Sequence, residues 1–285
     1  MVTGTINDRD KIADLTQNFK IQEIYIDNMN DFRNQLVNGN YSYFRGESSS
    51  QWSLNSSMVR KIKSSILDNG SIVLDYHLMC DTLRVHKEKY NRTISSRHSY
   101  TRFLFYMQHS VSFSPFIDLT KELWIAVSFC LENVQKNSEN SISDTASIYA
   151  FSFVAGKKNK GVILEKHEDI QRILESLSIG INKLNPNKSK VEAYIVDSID
   201  DLNIMNDRMQ YQKGAFLLLN NYSIGFDFTS KQLFKNDFLN IKKFIISKNV
   251  LKELYFKLLE EYSDYHISNL YDPYRIFQKI KIKGM

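Results

Sequence analysis

Five short runs rich in β-branched and aromatic residues follow one another through the second half of the chain: Ser147–Val154, Gly161–Leu164, Val191–Val196, Ala215–Leu219 and Ile241–Ile246. Polar turns separate them, which is the signature of sheet strands. Helical spacing dominates elsewhere. Leu74, Leu78, Met79 and Leu83 make a stripe within Ile72–Tyr90, Phe103, Leu104 and Met107 share one side of a helix beginning near Ser99, and Leu123, Ala126, Val127 and Cys130 do so within Leu119–Leu131. Strands and helices are thus segregated rather than alternating as βαβ units. The expected architecture is α+β, with a helical N-terminal half and a mostly antiparallel sheet.

Two further strands precede the helices: Lys20–Ile26, and Tyr41–Arg45 after the Asn38-Gly39-Asn40 turn. Asp27 or Asn28 is placed to cap a short helix through Phe32 and Leu36. Near the end, Leu251, Leu254, Leu258 and Leu259 return to helical spacing in Lys248–Tyr262, and Pro273 suits the first turn of a last helix. With no repeat and no Pro- or Gly-rich linker, the chain reads as one α+β domain over residues 1–247, its core motifs within 41–220. A C-terminal helical appendage over 248–285 packs on it.

Composition narrows the class. Among 285 residues, 42% are hydrophobic and 13% aromatic, the profile of a chain that folds around a core. The two cysteines, Cys80 and Cys130, cannot build a disulfide framework, and no Cys/His spacing fits a structural metal. No apolar run approaches the ~20 residues of a membrane span, and the first ten residues lack the apolar region of a signal peptide. The expected location is the cytoplasm. A net charge of +5 is compatible with a phosphate-bearing ligand without requiring one.

The chain has no GxxxxGK[ST], GxGxxG, HExxH or GxSxG motif, which removes the usual NTPase, dinucleotide-dehydrogenase, zincin and α/β-hydrolase readings. Three polar clusters stand where strands and helices should meet. In Tyr43-Phe44-Arg45-Gly46-Glu47 a guanidinium suited to phosphate is followed by a glycine that allows close backbone approach. Arg45 is equally able to pair with Glu47 or Asp118 and hold a turn. In the second cluster, Gln108-His109-Ser110 precedes Asp118-Leu119-Thr120, where Asp118 or Thr120 is a natural helix N-cap and His109 a candidate ligand contact. The third runs from Asn206 through Arg208, Gln212 and Gly214 to Phe216, and places a side-chain amide and a glycine at a strand entrance, as a plain turn also would.

In this order the clusters resemble the FRG-domain family, named for the Phe-Arg-Gly motif that stands here as Phe44-Arg45-Gly46. Gln51-Trp52-Ser53-Leu54 leading to Arg60, then Gln108-His109 and Phe116-Ile117-Asp118-Leu119-Thr120 with Ala126 and Phe129, and finally Arg208, Gln212, Gly214 and Phe216 are similar to its later landmarks. The segment Ile267–Ile280 looks like the helical tail that follows the family's core. The resemblance implies a distant likeness to ADP-ribosyltransferases, with a split antiparallel sheet around an NAD cleft, in bacterial toxin or phage-defence effectors.

Carried onto this sequence, the resemblance implies catalytic roles for Arg45, Asp118 and Gln212. Phe44, Arg45, Gly46, Glu47, His109, Thr120 and Gly214 would then contact NAD, which is the substrate, with no metal. Gln212 stands where such transferases hold a glutamate, so Asp118 or Glu47 must supply the negative charge that a ribosyl cation needs. The acceptor would be a protein or nucleic acid. The alternative is a non-catalytic module that binds nucleotide or nucleic acid in the same cleft, with Tyr43, Trp52 and Phe116 as stacking surfaces. A third reading makes Arg45, Asp118 and Gln212 a buried network that only fixes the fold.

Overall fold

The computed structural model describes residues 21–52, 54–57, 85, 114, 116–136, 142–153, 163–164, 193–197, 211–219 and 239–271. The expected helices over Ile72–Tyr90, save the helical Val85, from Ser99 and from Pro273 lie outside these residues, as do Arg60, His109 and Arg208. The fold is α+β.

Strand β1 (Gln22–Ile26) leads to a short helix α1 (Met29–Phe32), which continues as a π-helical turn over Arg33–Val37. Asn28 is its N-cap, accepting the Asp31 N–H at 2.9 Å. Then come β2 (Tyr43–Glu47), β3 (Ile117–Thr120), α2 (Leu123–Cys130) and α3 (Glu132–Lys136). The remaining strands are β4 (Thr145–Phe153), β5 (Ile163–Leu164), β6 (Ala193–Val196), β7 (Gly214–Leu219) and β8 (Leu239–Ser247). Helix α4 (Lys248–Glu261), a 3₁₀ turn over Ser263–Tyr265 and α5 (Ile267–Tyr271) close the described chain.

One segment corrects the sequence reading. Ile117–Thr120 is a strand, and the helix expected from Leu119 begins only at Leu123. Ile117 and Leu119 point into the core while Asp118 points out, so the local period is two. Asp118 is therefore not the N-cap of this helix. The N-cap is Glu122, with no side-chain cap bond, and the Thr120 hydroxyl instead accepts the Glu122 N–H at 3.1 Å from the residue pair before the helix.

The eight strands among the described residues form one mixed sheet in the order β1-β8-β4-β2-β3-β7-β6-β5. The β1–β8 and β5–β6 pairs are parallel, the others antiparallel. Its strength is uneven. Register pairs run the full length of β2 against β4 and of β3 against β7, yet β2 and β3 meet only at Phe44 and Thr120. That single pair is the seam between two half-sheets.

Alternation gives the sheet two faces, and each carries a core cluster. On one, Phe44, Ile148, Ala150, Phe244 and Ile246 meet α2 and α4. On the other, Tyr43, Tyr149 and Phe151 join Leu54, Leu119, Ala215 and Leu217. Helix α2 is buried nearly all round because the sheet covers one side and the C-terminal helices the other. From α4, Val250, Leu251, Leu254 and Leu258 enter the same core as the sheet; each such burial is worth about 1.5–3 kcal/mol. Position 46 must be glycine for a steric reason: a Cβ there would run into the Ala126 carbonyl of α2. Among the described residues no helix is long and apolar enough to cross a membrane.

Candidate functional site

The FRG motif lies at the seam. Residues 43, 45 and 47 share one face of β2, so the Arg45 and Glu47 side chains lie side by side, and Arg45 Nε donates to Glu47 Oε1 at 2.6 Å. Arg45 Nη1 donates to the Asp118 backbone carbonyl at 2.9 Å and stands 4.0 Å from the Asp118 carboxylate. One guanidinium thereby supplies a cross-strand bond just where the backbone pairing of β2 and β3 stops. Its side chain is 13% exposed and that of Glu47 5%, whereas Asp118 is 54% exposed. Burial alone would lower the Arg45 pKa, but the charges of Glu47 and Asp118 outweigh it and hold the value above the ordinary one. Arg45 Nη2 makes no hydrogen bond among the described residues.

On the other side of the Phe44–Thr120 pair a second set of polar groups crosses the seam. The Tyr43 hydroxyl donates to Asp197 Oδ2 at 2.8 Å, and Lys121 Nζ lies 2.6 Å from Asp197 Oδ1. Asp197 directly follows β6, and its carboxylate meets side chains that flank the seam, Tyr43 of β2 and Lys121 after β3. Nothing in the sequence pointed to this trio, because its members are separated by up to 154 positions. The only local signal is a carboxylate placed directly after an apolar strand.

Thr120 and Gln212 have structural partners. The Thr120 hydroxyl donates to the Gln212 carbonyl at 2.8 Å, and the Gln212 side-chain amide donates to the Leu270 carbonyl at 3.1 Å. The Gln212 side chain thus faces α5. The next residue, Lys213, takes the left-handed conformation, φ 45°, and its carbonyl accepts the Lys121 N–H at 3.0 Å. Its ammonium contacts Glu122 at 2.8 Å, which raises its pKa. Gly214 opens β7 opposite Thr120.

The expected stacking surfaces divide by burial. Tyr43 and Phe116 are buried, Tyr43 through its bond to Asp197 and Phe116 against Phe216 with ring centroids 5.4 Å apart. Neither face is open to a base. Trp52 is 52% exposed, and its carbonyl accepts the Tyr149 hydroxyl at 2.9 Å. Among the described residues no group of His, Cys, Asp and Glu side chains is placed to hold a metal ion.

Comparison with known families decides the kinship of this seam. The family model described as FRG domain matches residues 40–139. The chain carries an FRG domain. The matched FRG segment contains β2, β3, α2 and α3, so both strands of the seam, with Arg45 and Asp118, fall inside it, while Asp197, Gln212 and Leu270 fall outside. No curated protein and no solved structure matches the chain.

Proposed function

We propose that the FRG domain binds NAD at the sheet seam and cleaves its nicotinamide–ribose bond, transferring ADP-ribose to a protein or nucleic-acid acceptor or to water. The observation that carries this reading is the Arg45–Asp118 contact. It sets an exposed carboxylate 4.0 Å from a fixed guanidinium at the place where the two half-sheets join by one residue pair.

The chemistry asks for those two groups. When the C1′–N bond breaks, its electron pair leaves with nicotinamide and positive charge grows on the ribose. The exposed Asp118 carboxylate stabilises that charge electrostatically. Arg45, held by Glu47 through Nε, presents Nη2 to a phosphate or ribose oxygen. An acceptor hydroxyl or water then forms the new bond at C1′ and releases its proton. Gln212, whose amide bonds the Leu270 carbonyl, is given no chemical step in this reading. Such an activity suits a bacterial toxin or defence effector acting inside the cell.

A specific observation favours the second reading, a non-catalytic nucleotide-binding module: Gln212, a neutral amide at the position where the resembled transferases hold a glutamate, bonds the Leu270 carbonyl, and binding needs no carboxylate there. The two are separated by measuring NAD binding and turnover on one preparation. A rise in melting temperature with NAD together with nicotinamide release supports cleavage. The same rise without release supports the binding module, and neither response rejects the nucleotide site.

A further inference from the structure

We infer that Gln212 is a positioning residue that couples the C-terminal segment Tyr262–Tyr271 to the seam, and so regulates the proposed reaction site on whose assignment its functional meaning rests. The coupling is a continuous set of bonds. The Gln212 amide donates to the Leu270 carbonyl at 3.1 Å, the Thr120 hydroxyl donates to the Gln212 carbonyl at 2.8 Å, and Thr120 is the β3 member of the one pair that joins the half-sheets. Asp118 lies two residues before it on the same four-residue strand.

The segment is docked by more than this bond. Ile267 and Leu270 pack against Ile125 of α2, with Tyr211 alongside. Tyr262 stacks on Trp124, ring centroids 4.0 Å apart and planes 14° from parallel, and Tyr265 stacks on Tyr262 in turn. Lys213 reaches both Glu122, at the start of α2, and the Tyr265 hydroxyl, at 2.8 and 3.5 Å. Gln212 and Lys213 thus stand between the docked segment on one side and the Thr120–Glu122 corner on the other. A left-handed lysine is an unfavourable backbone state that surrounding contacts must maintain, so loosening the segment removes part of what fixes that corner.

Hydrogen–deuterium exchange on the full chain tests the coupling without depending on turnover. Gln212→Leu and Gln212→Glu both remove the amide donor, the second while keeping the shape. Both are expected to raise exchange about tenfold in residues 262–271 and in residues 117–122 together, the effect of one lost hydrogen bond. Exchange in β1 and β8 stays unchanged. Thr120→Val breaks the same chain of bonds at its other end, and combining it with Gln212→Leu should cost less than the sum of the two. If nicotinamide release is measurable, Gln212→Leu lowers kcat and leaves KM within twofold. Faster exchange confined to 262–271, or additive effects of the two substitutions, would overturn the inference. Absence of turnover in the unaltered protein would reject the NAD reading and leave the exchange result to decide the coupling.

Discussion

Arg45 Nη1 donates a 2.9 Å hydrogen bond to the backbone carbonyl of Asp118, and this side-chain bond bridges two strands whose backbones pair at a single position. An arginine so placed cannot be exchanged for lysine without loss, because a single ammonium cannot meet Glu47 and the Asp118 carbonyl in the same planar geometry.

The stability of the seam follows from that geometry. Arg45→Ala leaves the Glu47 carboxylate buried without its partner and is expected to cost about 3–5 kcal/mol, read from urea unfolding midpoints. Arg45→Ala combined with Glu47→Gln should recover a large part of the loss, since no uncompensated charge remains. An equal loss in the double variant would show that the packing of the arginine stem matters more than charge.

Gly46→Ala tests the close approach of β2 and α2. The added methyl meets the Ala126 carbonyl, a backbone atom that moves only with the helix, so the substitution is expected to destabilise by about 1–3 kcal/mol. A thermal melt with unchanged midpoint would contradict the packing described here.

Cys130 makes a pH prediction. Burial, the largest cause, raises its thiol pKa, and the Glu47 carboxylate adds to the rise although a backbone hydrogen bond opposes it. The thiol lies 3.2 Å from the Ser147 carbonyl as donor. Because the folded state keeps this proton where the unfolded chain has lost it, the group lowers stability as pH rises above about 9, the unperturbed value. In a Cys80→Ser background the remaining thiol should resist alkylation at pH 8 until the protein is unfolded. Rapid native alkylation would place Cys130 at the surface.

Much of this was legible because it is local. The strand β1, the Asn28 cap, the motif strand β2 and the helix α4 each have a period or a cap within a few residues. The start of α2 was not. In Ile117–Thr120 the alternation lasts only four residues, and Leu119 also fits the apolar stripe of the following helix. The same shortness made Asp118 and Thr120 look like caps. At the site, a spacing of two on a strand places Arg45 beside Glu47, and Asp118 is within the sequence's own set of carboxylate partners for Arg45. Tyr43 with Asp197 and Gln212 with Leu270 are contacts made by topology, and no spacing in the sequence encodes them.

Asp118→Asn isolates the proposed chemistry from the fold. The side chain is half exposed and its backbone carbonyl, which the substitution keeps, is what Arg45 bonds, so stability should change by no more than about 0.5 kcal/mol. The decisive measurement is nicotinamide release from NAD by the unaltered protein and by Asp118→Asn, with equal folding checked by circular dichroism. The account predicts turnover in the first and at least a hundredfold lower turnover in the second, the order expected for loss of a charge that stabilises a transition state. Equal turnover in both proteins would contradict the role of Asp118, and no turnover in the unaltered protein would contradict the assignment of the seam as an NAD-cleaving site.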